Sequence, residues 1–154
     1  MLCTLAIVLA WRSARAEARA VIPVAPGDRL MKDAGTRARA TLDALRPHIG
    51  SPRQVGVKFP LRRDDGGATF VWGTPEAMDA GTVTVRLVAP PVDAAVPDGP
   101  MVVPLADVED WQVFLDDGRI LGGYGTRAQM AIARRYGHAI PRAMRAQEPR
   151  FVDA

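Results

Sequence analysis

The 154-residue chain has one cysteine, Cys3, two histidines, and aromatic side chains at only 6% of positions. A single thiol forms no internal disulfide. Without a second cysteine or a His-x-x-x-His pair, a zinc site lacks its usual ligands. His48 follows Pro47 and His138 follows Gly137. Both sit at expected helix ends, where histidine faces the helix dipole or solvent. No apolar run approaches the roughly 20 residues that cross a bilayer as a helix, so no stable membrane span is expected. The glycines of "GGYG" (122–125) stand before a helix pattern, a place where backbone N–H groups cradle anions. They lack a Walker lysine and the Gly-x-Gly-x-x-Gly spacing of a βαβ unit, and a bulge with a tight strand-to-helix turn explains them better. Asp64-Asp65 and Asp116-Asp117 lack the alternating oxygens of a calcium loop; beside glycines they read as turns. These absences lead us to expect no metal, no cofactor and no assigned catalytic residue.

What is present begins with composition. Apolar residues make up 48% and charged residues 24%, the profile of a folded domain rather than a disordered chain. The net charge of +3 is unevenly spread: residues 55–125 carry five basic against eleven acidic side chains. The flanks 21–54 and 126–154 carry six against three and six against two. A duplex-binding surface needs clustered cations to displace counterions. An acidic centre between basic flanks neutralises itself instead, so nucleic acid is not an expected partner.

The start, "MLCTLAIVLAW" followed by "RSARAEARA", has the pattern of a secretory signal: an apolar segment of ten residues, Leu2–Trp11, then Ala-x-Ala spacings. It lacks a basic residue before the apolar segment. A periplasmic or secreted location is the expectation; an N-terminal helix packed on a cytoplasmic domain is the alternative. Residues 1–20 thus read as a signal peptide and 21–27 as an extended leader. Residues 28–140 read as one α+β domain and 141–154 as a tail, either a short helix or frayed.

Asp28 is placed to cap a helix running to about Arg46, with Leu30, Ala34, Ala38, Leu42, Leu45 and Ile49 on one stripe. Pro47 and Gly50 end it. Period-two patterns follow: "QVGVKFPL" turns Val55, Val57 and Phe59 inward and Lys58 outward. Further strands are expected at "ATFVWGT", "GTVTVRLVAPP", "MVVPL", "VEDWQVF" and "RILGGY", then a helix capped by Thr126 and stopped by Gly137. The fold expected is α+β: an N-terminal helix, a strongly curved, largely antiparallel sheet of five to six short strands, and a C-terminal helix.

Together "DAGTRARATLDAL", "VKF", "VEDW" and "DDGRILGGYGTR" resemble the YegJ-like group of uncharacterised bacterial proteins, domain of unknown function 2314. Ala34, Ala38, Thr41 and Leu42 fit the helix of that pattern, and Val57 and Lys58 its first strand. Trp72, then Val108, Asp110 and Trp111, fit later strands; Gly122, Gly123, Tyr124 and Arg127 fit its close. Two positions depart: Thr69 stands where the group has Glu, and Gly125 separates Tyr124 from Thr126. The resemblance implies a small, export-compatible α+β protein and no mechanism.

The candidate binding residues are Lys58, Trp72, Asp110, Trp111, Tyr124 and Arg127. An Asp110–Arg127 pair across the hairpin base is expected, with Trp111 and Tyr124 packed as aromatics. Three functions follow. The first is a non-enzymatic envelope protein that binds a protein, peptide or small anionic ligand, with Lys58, Trp72, Tyr124 and Arg127 lining one concave sheet face. The second is a hydrolase using Asp110 with Lys58 or Arg127. The third is a purely structural accessory domain.

Overall fold

The computed structural model describes residues 22–89, 91, 94, 96 and 98–154, so the signal-like segment lies outside the described residues. Helix α1 (Arg29–Ala40) is capped as its sequence predicts, the Asp28 carboxylate accepting from the N–H groups of Leu30 at 2.8 Å and Met31 at 3.4 Å. It stops earlier than expected. At Thr41 the hydroxyl bonds back to the Arg37 carbonyl, and the chain continues as two 3-10 turns, Leu42–Ala44 and Arg46–His48. A three-residue turn still returns every third side chain to one side. Leu42 and Leu45 are therefore buried with Ala34 and Ala38, whereas Leu30 at the first turn is exposed.

Seven strands follow: β1 (Val55–Arg62), β2 (Ala68–Met78), β3 (Thr82–Leu87), β4 (Met101–Pro104), β5 (Asp110–Phe114), β6 (Ile120–Gly122) and β7 (Phe151–Val152). They form one open sheet in the order β4-β3-β2-β1-β5-β6-β7, antiparallel throughout except for the parallel β6–β7 pair. The architecture is α+β with a largely antiparallel sheet, as the patterns predict. The count exceeds the expected five to six strands because the supposed tail supplies β7. Nor are all strands short: β2 has eleven residues, and a register shift between Pro75 and Ala77 carries it past the expected end.

The alternation in β1 is observed as read, with Val55, Val57, Phe59 and Leu61 buried. Val57 stands opposite Trp111, and this layer meets α1. Trp111 is fully buried, and its indole N–H donates to the Ala38 carbonyl at 3.0 Å. The alanines on α1 permit that approach, and truncating such a core tryptophan costs about 4 kcal/mol.

Helix α2 (Tyr124–Tyr136) begins two residues before the expected Thr126 cap and ends at Gly137, whose φ is 69°. Gly122 and Gly123, at φ 82° and 72°, make the left-handed turn out of β6. A Cβ on Gly122 would collide with the Trp111 carbonyl, so this turn requires glycine. Helix α3 (Arg142–Gln147) and a 3-10 turn then lead to β7. No helix among the described residues is long and apolar enough to cross a membrane.

Candidate functional site

The six candidate residues do not converge: Lys58 and Asp110 share a cavity, Tyr124 and Arg127 share a cluster at the sheet edge, and Trp72 and Trp111 lie in neither. Trp111 and Tyr124 both pack as aromatics, as expected, and against each other, 6.2 Å apart between ring centroids in an edge-on arrangement; Trp111 is sealed in the core, whereas the Tyr124 hydroxyl reaches the 148–154 segment. Trp72 is half-buried against the backbone of Gly56, where a Cβ would lie 3.1 Å from its ring. Lys58 and Asp110 face each other directly across the β1–β5 ladder, so both side chains project from one sheet face. Arg127 is elsewhere: it pairs with Asp153 at 2.7 Å.

That last fact corrects the expected Asp110–Arg127 pair. Asp110 is fully buried and is spent on backbone. One carboxylate oxygen accepts from the Trp111 N–H at 2.9 Å, the other from the Thr126 N–H at 3.1 Å, and the Gly125 N–H also bonds the group. Asp110 thus caps the first turn of α2 from a neighbouring strand. The helix end that could have held a phosphate already holds this chain's own carboxylate. The Thr126 hydroxyl, expected to cap, instead accepts from the Gln112 side-chain amide at 2.8 Å. Burial pushes the Asp110 carboxyl above the ordinary carboxylate range; the three backbone bonds and the nearby Lys58 charge oppose that shift without cancelling it.

Lys58 and Asp110 border a cavity of about 590 Å³. Its walls are the extended segment from Ile22 to Gly27, the first turn of α1 at Met31 and Lys32, Phe70 on β2, and Glu109. The lining is mostly apolar, the condition under which a few polar groups orient a ligand. The Lys58 ammonium lies 5.7 Å from the Phe70 ring centroid, a cation–π contact. It has no hydrogen bond or ion pair among the described residues. Burial lowers its pKa from the usual 10.5, against the pull of Asp110 and Glu109. Glu109 is held by Arg39 at 3.8 Å. Of the chain's 20 basic side chains only two are lysines, Lys32 and Lys58, and both line this cavity. The choice has chemical meaning, because a lysine amine can lose its proton when desolvated and a guanidinium cannot.

The second place is a cluster around the edge of the sheet. Arg37 and Arg127 both bind Asp153, at 2.8 and 2.7 Å, and both guanidinium groups stand over the Tyr124 ring, at 5.2 and 5.7 Å from its centroid. Neither Arg37 nor Asp153 carries a sequence signal for this role, since 116 positions separate them. The carboxylate pairs read as turns are turns: Asp65 accepts from the Gly67 N–H at 2.9 Å and Asp117 from the Arg119 N–H at 3.0 Å. No group of three His, Cys, Asp or Glu among the described residues is arranged to hold a metal ion.

Comparison with known proteins returned no match: no family model, no curated protein and no solved structure matches this chain.

Proposed function

We propose that the protein is a binding module whose ligand, small and partly apolar, carries an acidic group that pairs with Lys58 in the cavity beside β1 and β5. The observation that carries this reading is the Lys58 ammonium itself, half-buried, over Phe70 and in no salt bridge among the described residues, its neighbouring carboxylates Asp110 and Glu109 being held by backbone N–H groups and by Arg39. A half-buried charge in no direct ion pair keeps a desolvation cost that the attraction of Asp110 and Glu109 does not cancel, and a carboxylate arriving from solution reduces it. The ligand's apolar part lies against Ile22, Met31 and Phe70.

The hydrolase alternative has less support. A general base is directed at substrate, whereas the Asp110 carboxylate is fully buried and each oxygen is aimed at a backbone N–H that it holds in place. Arg127 is engaged by Asp153, away from the cavity. The resemblance to the YegJ-like group and the signal-like segment 1–20 support an exported, envelope setting for this binding role.

Calorimetric titration with a medium-chain carboxylate, and with the alcohol of equal length, tests the reading. The carboxylate should bind saturably and at least tenfold more tightly than the alcohol. Lys58→Met should abolish that preference while Lys58→Arg keeps part of it. Equal binding of acid and alcohol, or no binding of either, would sink the proposal.

A further inference from the structure

The segment 148–154 is bound to the body of the protein in the manner of a peptide ligand. Phe151 and Val152 add to the outer edge of β6 in parallel register, Ile120 opposite Phe151 and Leu121 opposite Val152. The Phe151 ring rests directly on Gly123, where any Cβ would collide with it. Asp153 enters between Arg37 and Arg127, and the Ala154 N–H donates to the Tyr124 hydroxyl at 3.2 Å. Main-chain pairing along an edge, a seat for one aromatic side chain and an arginine pair for one carboxylate are the parts of strand-addition recognition.

The arm that delivers this segment is weakly attached. Helix α3 has no buried residue, and it follows Gly137 and Pro141, which interrupt the helical path after α2. Upstream of β7, among the described residues, its side-chain hydrogen bonds and ion pairs to the body are the Arg134–Glu148 pair and a bond from Arg150 to the Gly118 carbonyl. A two-residue strand held by half-exposed ion pairs opens at low cost, since solvent screens such pairs and each contributes little.

We infer that the β6 edge, with Arg37, Gly123, Tyr124 and Arg127, is a docking site for an extended aromatic-aliphatic-acid segment, and that the 148–154 segment of a second copy of this chain occupies it by exchange. The complementary chemistry is guaranteed because donor and acceptor are the same sequence, and exchange of an identical element is a low-cost route to a dimer. In trans every contact made in cis is reproduced, with the 137–141 connection as hinge. This site lies apart from the Lys58 cavity, so either proposal can fail without the other.

Charge-reversed full-length chains test it. Asp153→Arg gives a segment that its own groove repels; Arg37→Glu with Arg127→Glu gives a groove that repels its own segment. Each variant alone should have monomer mass by light scattering. Mixed one to one, each groove meets a segment of opposite charge, and the mass should double. Two species that remain monomers on mixing, both folded by near-ultraviolet dichroism, would overturn the proposal. A milder variant guards against misfolding: full-length Asp153→Asn should bind a labelled peptide of residues 148–154, and bind it at least tenfold more weakly when the peptide's Asp is Lys. No binding of the native peptide to that variant also overturns it.

Discussion

Asp110 and Asp153 are the same functional group in two settings, and the protein treats them oppositely. Asp110 is sealed beneath the first turn of α2, where burial raises its pKa and backbone N–H groups share its charge. Asp153 sits at the sheet edge, 47% exposed, where the Arg127 hydrogen bond, ahead of the pull of Arg37, lowers its pKa. The first holds the architecture that shapes the cavity; the second holds a detachable arm. The contrast teaches that a carboxylate's worth is set by what is left unpaired when it goes. Removing Asp110 strands buried N–H groups; removing Asp153 leaves two arginines in water.

The sharpest way to break that comparison is Asp110→Ala. It should destabilise the protein by about 3 kcal/mol, because buried donors at Trp111, Gly125 and Thr126 lose their acceptor, and urea denaturation measures it. A loss comparable to that of Asp153→Asn would make the two carboxylates equivalent.

Gly123→Ala comes next, at about 2 kcal/mol by the same measurement, since it imposes a left-handed alanine and displaces Phe151. Hydrogen exchange should show the loss concentrated in β6, β7 and α3 while the β1–β5 ladder stays protected. Uniform loss across the sheet would show that the arm is not a separable unit.

Lys58→Met should raise stability by about 1 kcal/mol at neutral pH, because the desolvation cost of a half-buried charge outweighs its attraction to Asp110 and Glu109 and an apolar chain of similar length carries neither. The lysine's folded pKa is lowered, so its penalty is full below that value and disappears as pH rises to 10.5. The advantage of the methionine variant should therefore shrink across that alkaline window in thermal melts. An unchanged advantage would place the lysine's cost elsewhere than in its charge.

The smallest effect belongs to Asp153→Asn, under about 1 kcal/mol and weaker still in high salt. Acid separates the two carboxylates by sign. Asp153, with a lowered folded pKa, contributes stability present above the ordinary 3.8 and lost as pH falls through its folded value. Asp110, with a raised one, contributes stability that is complete below 3.8 and lost as pH rises through its folded value. Acidification should release the β7 arm before the β1–β5 ladder, as followed by hydrogen exchange. Simultaneous release would contradict the assignment.

Much of the local structure was legible. Asp28 precedes an apolar stripe, Gly137 follows one, and each aspartate turn carries its glycine, so cap, stop and turns could be placed from neighbours a few residues away. The candidate site was legible only in part. Lys58 and Asp110 were singled out, but the expected partner of Asp110 was Arg127, which belongs to Asp153. Trp111 and Tyr124 pack as aromatics, as their pattern suggests, and of the two only Tyr124 reaches a bound segment. Phe70, Met31 and Lys32 carried no signal, because wall residues of a cavity share no spacing. The segment "RFVD" is too short and too charged to announce a strand, and its pairing depends on an edge thirty residues earlier.

The sequence by itself determined the α+β class, the alternation that turns Val55, Val57 and Phe59 inward, and the glycine-coded turns. Those properties follow from backbone preference and from periods of 2 and 3.6 residues, which are local. Only the tertiary structure decided that Asp110 would cap a helix fifteen residues away. It alone left Lys58 in no salt bridge among the described residues, and it alone brought Arg37 and Arg127 to one carboxylate. Those outcomes depend on which strands become neighbours and what each neighbour leaves unsatisfied, and no local period encodes that.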